Sequence, residues 1–199
     1  MYKEYLSALG ILLTFLAYIP YIRSILKDEI KPHVFSWGIW GITTLIVFLA
    51  QLSDNGGFGA WVIGVSGLLV TIIAILAYVK KSDASITKVD WVFLFIAIAS
   101  MFAWYFTSNA LWAVVILTFM NVIGFAPTIR KSYMQPFSEG LSFFLILVPR
   151  NLISIAALEH YSVTTVFFPA VTALACLTLI SLAAYRRKVL KTEHMLKVT

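Results

Sequence analysis

The fold is decided by the stretch PYIRSILKDEIKPHVFSW, which runs from Pro20 to Trp37. It leaves one long apolar segment through a proline, crosses a short basic connection and enters the next apolar segment at Ser36. A second copy, PTIRKSYMQPFSEGLSF, begins at Pro127, so the pattern Pro-x-Ile-Arg recurs 107 residues further along the chain. The repetition predicts two halves built on the same proline corner.

The composition is typical of a membrane protein. The chain has 199 residues, of which 61% are hydrophobic and 12% are charged, and its mean hydropathy is +0.92. A soluble domain carries roughly 25% charged residues, and here the charges avoid long stretches that could each cross about 30 Å of hydrocarbon. Because the backbone polar groups of such stretches must be satisfied within the segment, we expect helices in a lipid bilayer rather than a soluble core.

Seven apolar segments have about the 20 residues that a spanning helix needs. They are Tyr5–Leu26, Val34–Leu52, Phe58–Val79, Trp91–Thr107, Ala110–Ile129, Leu141–Leu158 and Val163–Tyr185. The predicted fold class is therefore an all-α integral membrane protein with seven transmembrane helices.

The basic residues predict the orientation of the chain. They lie in or beside the first, third and fifth connections and in the tail, whereas the second, fourth and sixth connections contain neither Lys nor Arg. Since basic connections stay in the cytoplasm, we expect a multi-pass protein with its N-terminus outside and its C-terminus cytoplasmic. The net charge of +6 forms no single patch, so no nucleic-acid partner is predicted.

The repeat extends beyond the proline corner. Thr71 matches Thr178 and Tyr78 matches Tyr185 at the same spacing of 107 residues. Helices 1–3 therefore correspond to helices 5–7, and the unmatched helix 4 makes both triplets run the same way across the membrane. We predict two parallel three-helix bundles joined by an inversion-linker helix (3+1+3). The predicted divisions are 1–81 for the first bundle, 82–109 for the linker helix, 110–187 for the second bundle and 188–199 for a cytoplasmic tail.

This arrangement, the orientation and the proline near the end of helices 1 and 5 resemble the PQ-loop superfamily in its seven-helix, full-length form. That group contains the SWEET (MtN3) sugar transporters. Where the family has Pro-Gln, this chain has Pro20-Tyr21 and Pro127-Thr128. The resemblance implies a transporter that moves a small solute by rocking its two bundles, with Pro20, Pro127 and Pro149 as hinges. From the residues alone, these prolines give either a hinge or a static bend.

The same resemblance bears on the substrate. The sugar-transporting relatives have asparagines on helices 3 and 7, and this chain has none there. These two helices carry hydroxyl side chains instead, at Ser66, Thr71, Thr172 and Thr178. The pocket aromatics of the family on helices 2 and 6 correspond to Trp37 or Trp40 and to Phe143 or Phe144. The resemblance therefore does not imply a monosaccharide substrate.

Arg150 is the charged residue that lies deepest in a predicted helix. It stands about nine residues into helix 6, roughly 14 Å deep, where a charge costs at least ~2.5–3.5 kcal/mol. No Asp or Glu lies at comparable depth in any segment. Two interpretations stay open. Arg150 either binds a ligand carboxylate or phosphate, or it bonds carbonyls freed by Pro149 or the side chain of Asn121.

Two amides and two indoles complete the candidate site. Amides such as those of Asn151 and Asn121 are costly in hydrocarbon without partners, so each either lines a pocket or joins neighbouring helices. Trp40 lies one turn deeper than Trp37, which is either an interfacial anchor or a pocket residue. The predicted solute-binding residues are Arg150, Asn151, Asn121, Trp40, Trp37 and Ser66.

Neither catalysis nor a cofactor is predicted. The three histidines lie in connections and the tail, no nucleotide-binding glycine motif occurs, and no intramembrane His or carboxylate could activate a nucleophile. We expect no enzyme, no cofactor and no metal. Without an intramembrane carboxylate to carry a proton, we expect facilitated diffusion of a small polar, anionic solute. The alternative is a membrane receptor that resembles the KDEL receptors, which hold a peptide carboxylate on basic groups. The sequence leaves open whether copies of the chain form a homo-oligomer.

Overall fold

The computed structural model describes residues 2–30, 32, 34–80, 88–134 and 141–198, and every regular element in these ranges is an α-helix. The seven helices are α1 (Tyr2–Leu26), α2 (Val34–Ser53), α3 (Phe58–Val79), α4 (Lys88–Thr107), α5 (Ala110–Met134), α6 (Ser142–Ala156) and α7 (Val163–Val198). The predicted all-helical fold is confirmed. Each predicted apolar segment falls on one of these helices, although α6 is shorter than the segment from Leu141 to Leu158.

Parts of three predictions fall outside the described ranges. These parts are residues 31 and 33 of the first proline corner, the boundary between first bundle and linker at 81–82, and the end of the second proline corner at 135–140. The predicted tail, from residue 188 onward, continues α7 without a break to Val198.

Three helices are long and apolar enough to cross a membrane, which indicates a membrane protein. They are α1, α3 and the part of α7 from Val163 to Leu190, and the other four helices contain shorter apolar stretches. Large apolar side chains on the outside of the bundle are more than half exposed, among them Leu68, Phe95, Tyr105, Phe106 and Leu174. Such a surface is unfavourable in water and suits contact with lipid tails.

The order of the helices in space differs from their order in the chain. Among the first three helices, α3 packs against both α1 and α2, and among the last three, α7 packs against both α5 and α6. Contacts of α1 with α6, α2 with α5, α3 with α6 and α2 with α7 join the two sets, while α4 packs against α5 and α2. In the described ranges, neither α1 with α2 nor α5 with α6 forms an extended contact. We call α1–α3 the first set of helices and α5–α7 the second set. Every helix of one set therefore contacts a helix of the other set.

Two clusters of buried apolar side chains fill the bundle. The first lies around α2 and α5, and its members include Ile46, Val47, Val114, Leu117 and Phe168. The second lies around α1, α3 and α6, and its members include Ala17, Tyr18, Val70, Ile73 and Leu147. The second cluster surrounds the candidate site described below.

Glycines on α3 let neighbouring helices approach closely. A Cβ atom at Gly59 would lie 2.5 Å from the carbonyl oxygen of Ser154 and 2.6 Å from the nitrogen of Leu158. Both are backbone atoms of α6 or of the turn after it, so they cannot rotate away as a side chain can. Gly64 and Gly67, further along α3, face side chains of α2 instead.

Gly59→Ala is expected to destabilise the protein because the added methyl group has no room. The expected loss in the free energy of unfolding is about 1–3 kcal/mol, measured as a lower melting temperature of the detergent-solubilised protein. Gly38→Ala is the matched control, since a Cβ atom at Gly38 would meet no atom within 4 Å. Equal melting temperatures of the two variants would contradict the close approach of α3 to the turn after α6.

Candidate functional site

Arg150 is buried inside the bundle, with only 2% of its surface exposed. It lies on the inner face of α6, which also buries Leu147, Asn151 and Ser154. These residues are spaced as the positions of a single helix face are, and Pro149 is exposed. The helix period therefore turns the guanidinium of Arg150 inward and the neighbouring proline ring outward.

The guanidinium of Arg150 joins α6 to two other helices. Its Nε donates to Thr14 Oγ1 of α1 at 3.1 Å, and its Nη2 donates to the carbonyl oxygen of Val62 in α3 at 2.6 Å. Its Nη1 donates to Oδ1 of the adjacent Asn151 at 2.8 Å. All three nitrogens thus have an acceptor, and all three acceptors are neutral oxygens.

The side-chain partners of Arg150 are themselves held in place. The Thr14 hydroxyl donates to the carbonyl oxygen of Gly10 at 2.8 Å, one turn back along α1. Asn151 Nδ2 donates to the carbonyl oxygen of Leu147 at 2.8 Å, one turn back along α6. These bonds to their own helices orient the oxygens of Thr14 and Asn151 toward the guanidinium.

No carboxylate of the described ranges forms an ion pair with Arg150. Ion pairs in these ranges include Lys27 with Glu29, Lys80 with Asp28, and His160 with Asp54, all near helix ends. A buried charge without a counter-charge is costly, and hydrogen bonds to neutral oxygens offset only part of that cost. Arg150 therefore provides a positive charge in an apolar environment, which favours binding of an anion.

A second polar pair lies one helical turn away from Arg150. Ser66 Oγ donates to Tyr18 Oη at 3.1 Å, and both side chains are buried. Tyr18 follows Thr14 by four residues on α1, and Ser66 follows Val62 by four residues on α3. The pair therefore lies about 6 Å along the helix axes from the bonds of the guanidinium.

Aromatic rings extend from this polar pair toward the beginning of α2. The ring centroid of Phe143 lies 5.1 Å from that of Tyr18 and 6.2 Å from that of Tyr21. Tyr21 in turn lies 4.9 Å from Trp37, and Trp37 lies 5.6 Å from Trp40. We call these five residues, which come from α1, α2 and α6, the aromatic cluster.

Five of the six predicted solute-binding residues lie in these connected groups. Arg150 and Asn151 are bonded to each other, Ser66 lies one turn away, and Trp37 and Trp40 belong to the aromatic cluster.

The sixth predicted residue, Asn121, belongs to a different contact. Its Nδ2 donates to Thr172 Oγ1 of α7 at 3.3 Å, so it joins α5 to α7. Among the described bonds of Arg150, the partners are neither Asn121 nor a carbonyl freed by Pro149. The sequence predicts one or the other of these partners if Arg150 has a purely structural role.

Sequence reasoning missed three partners that complete the site: Thr14, Val62 and Tyr18. Thr14 and Tyr18 did carry a usable signal, because polar side chains four residues apart share one face of a helix. Val62 contributes a backbone carbonyl, which leaves no trace in the side-chain pattern.

The three predicted hinge residues lie inside helices that continue past them. Pro20 lies inside α1 and Pro149 inside α6, and both rings are exposed. Helix α5 likewise continues past Pro127 to Met134. Helices α1 and α6 pack against each other and meet at Arg150. Two of the three prolines therefore lie in this helix pair, one on each helix.

Polar bonds tie the two sets of helices together near Glu159, at the end of the bundle where α1 begins. The Lys3 ammonium donates to the carbonyl oxygen of Leu158 at 2.6 Å. The backbone N–H of Glu159 donates to the carbonyl oxygen of Gly56 at 3.1 Å. The turn after α6 is thereby fixed to the first set of helices, and we call this end of the bundle the Glu159 end.

The described residues contain no group of three or more His, Cys, Asp or Glu side chains that could hold a metal ion. No family model, curated protein or solved structure matches the chain. A functional proposal for this protein therefore rests on Arg150 and its surroundings.

Thr14→Val is expected to destabilise the protein by about 1–3 kcal/mol, because it removes the acceptor of a buried, charged donor. The measurement is the free energy of unfolding in detergent. Thr178→Val is the control: the exposed Thr178 hydroxyl donates to the carbonyl oxygen of Leu174 on its own helix, so the expected change is within about 0.5 kcal/mol.

A double-mutant cycle isolates the contact itself. In an Arg150→Met background, Thr14→Val should cost clearly less than in the wild-type protein. An equal cost in both backgrounds would contradict the bond between Thr14 and Arg150.

Proposed function

We propose that the protein is a membrane transporter that moves a small polar, anionic solute by alternating access, as a uniporter. In this proposal the chain is a seven-helix transporter of PQ-loop type with its N-terminus outside and its C-terminus in the cytoplasm. The observation that carries the proposal is the buried guanidinium of Arg150, which has neutral partners from three helices and no described counter-charge.

The packing of the helices supports a 3+1+3 arrangement. The six helices α1–α3 and α5–α7 can be matched in chain order, so that α1 corresponds to α5, α2 to α6 and α3 to α7. Each observed packing pair among them then has a corresponding pair that is also observed. The pair α1 with α3 becomes α5 with α7, and the pair α1 with α6 becomes α5 with α2. Helix α4 has no counterpart in this exchange. Two equivalent bundles related by an axis along the membrane normal would pack in this way.

The charge of Arg150 favours an anionic solute. A positive charge in the middle of the hydrocarbon costs on the order of 2.5–3.5 kcal/mol on insertion scales. A bound carboxylate cancels that charge, and a guanidinium can hold it through two parallel N–H bonds. The loaded site would be neutral, so it would be cheaper to bury than the empty site. This difference favours binding of a solute with one negative charge.

Alternating access is supported by the position of the prolines and of the polar ties. Pro20 and Pro149 each remove one backbone hydrogen bond from α1 and α6, the two helices that meet at Arg150. At the Glu159 end, the Asp54 carboxylate also accepts a hydrogen bond from Ser162 in the turn between α6 and α7. Access from that end requires these ties to break, which corresponds to a rocking movement of one set of helices against the other.

Uniport is supported by the absence of a proton carrier in the part of the bundle that the structure describes. The buried polar and charged side chains there include one cation, Arg150, and no carboxylate. A proton-coupled carrier would need a titratable group in the membrane that binds and releases a proton.

Arg150→Lys and Arg150→Met are both expected to lower the counterflow of labelled carboxylates in proteoliposomes by at least about tenfold. Lysine keeps the charge but loses the planar, two-point geometry, and methionine loses both. Lys88→Gln removes one positive charge from the exposed start of α4 and should leave the counterflow unchanged.

Unchanged counterflow in both Arg150 variants would contradict an anion site at Arg150. If carboxylates bind in an Arg150-dependent manner but no counterflow occurs in the wild-type protein, the protein would be a receptor and not a transporter.

A further inference from the structure

The polar groups around Arg150 have unused donors. Its three bonds use three of the five N–H groups of a guanidinium. Asn151 Nδ2 uses one of its two N–H groups. Tyr18 accepts a bond from Ser66, and its own O–H has no acceptor among the described residues. A ligand that fits these groups must supply hydrogen-bond acceptors.

The Thr14 and Ser66 hydroxyls, by contrast, already donate their hydrogens to Gly10 and Tyr18. Apart from the remaining lone pairs of these oxygens, the unused groups near Arg150 are therefore N–H and O–H donors, and the guanidinium among them carries a full positive charge. An ionised carboxylate, which has acceptors only, is complementary to this set.

Beyond Tyr18, the surroundings of the site are aromatic. Phe143 meets Tyr18 edge to face, with an interplanar angle of 88°, and Tyr21 lies against Trp37 at a tilt of 33°. Tyr18 is buried, whereas Tyr21 and Phe143 are partly exposed, so the cluster extends from the interior to the surface of the bundle. Aromatic rings pack well against another flat ring, either offset-stacked or edge to face.

From the unused donors and the adjoining rings, we propose that the solute is an aryl monocarboxylate, that is, a flat ring bearing one carboxylate. Its carboxylate binds between the Arg150 guanidinium and the Tyr18 hydroxyl, and its ring packs among Phe143, Tyr21 and Trp37. This inference rests on the proposed function and names the substrate class of the same site.

Other solutes match the site less well. The hydroxyls of a sugar can accept hydrogen bonds from these donors, but a sugar has no negative charge to balance that of Arg150. A dianion would leave one negative charge uncompensated, because Arg150 is the single described buried charge. A cation is attracted by aromatic faces but repelled by the guanidinium. A small aliphatic acid satisfies Arg150 but leaves the aromatic cluster without a ligand ring.

Calorimetric binding to the purified full-length protein in nanodiscs tests this inference with four probes: benzoate, acetate, benzyl alcohol and glucose. Benzoate is expected to bind at least about tenfold more tightly than acetate, which lacks the ring, and than benzyl alcohol, which lacks the charge. Glucose is expected to show no binding.

Two variants test the two parts of the site separately. Tyr18→Phe removes one hydroxyl donor and should weaken benzoate binding about five- to tenfold. Trp37→Leu removes a ring and should weaken benzoate binding while leaving the affinity for acetate unchanged. Trp112→Leu and Tyr105→Phe are the matched controls on exposed residues, and neither should change binding.

The outcomes separate this inference from the proposed function. If benzoate and acetate bind equally well and Arg150→Lys or Arg150→Met weakens the binding of both, the assignment of an aryl monocarboxylate as the solute is wrong, and the anion site at Arg150 is supported. If Tyr18→Phe and Trp37→Leu both leave benzoate binding unchanged, the placement of the carboxylate and the ring is wrong. If benzoate binds equally to the wild-type protein and to both Arg150 variants, the inference and the proposed function are both wrong.

Discussion

One positive charge, held inside an apolar bundle, is the constraint on which the candidate site depends. Three N–H groups of Arg150 have acceptors because Thr14 on α1, Val62 on α3 and Asn151 on α6 place their oxygens around it. Helices α1 and α3 belong to one set and α6 to the other, so the guanidinium ties the two sets together. In the proposed transporter, an anion bound to the two remaining N–H groups would place its negative charge at this junction between the two sets. Binding of the solute would then change the charge of the contact that joins them.

The two halves of the chain are related in pattern but unequal at this site. Where the second half has Pro149-Arg150, the first half has Thr43-Thr44, and the Thr43 hydroxyl donates to a carbonyl of its own helix. The counterpart of Thr14 in the second half is Asn121, which bonds α7. The pairs α1 with α6 and α5 with α2 therefore correspond in the sequence pattern, and among the described buried residues the charge lies in the first of them.

The helices could be predicted from the sequence because lipid requires long apolar segments, and each segment falls on a helix of the structure. The burial of Arg150, and the lack of a carboxylate beside it in the described part of the chain, could also be predicted, since both depend on position along a helix. The partners of Arg150 were not readable. Thr14 and Val62 lie 136 and 88 residues away in the chain, and one of them acts through its backbone. Asn121 was placed at the same site from the sequence because an amide in hydrocarbon needs a partner, but that need does not determine which helix pair the residue faces.

The most direct test is an experimental structure of the full-length protein with 4-iodobenzoate, in which the anomalous signal of iodine marks the position of the ring. The account predicts the carboxylate within about 3 Å of the Arg150 guanidinium, and the iodine peak among Phe143, Tyr21 and Trp37. Iodine peaks confined to the outside of the bundle, with Arg150 still bonded only to Thr14, Val62 and Asn151, would contradict it.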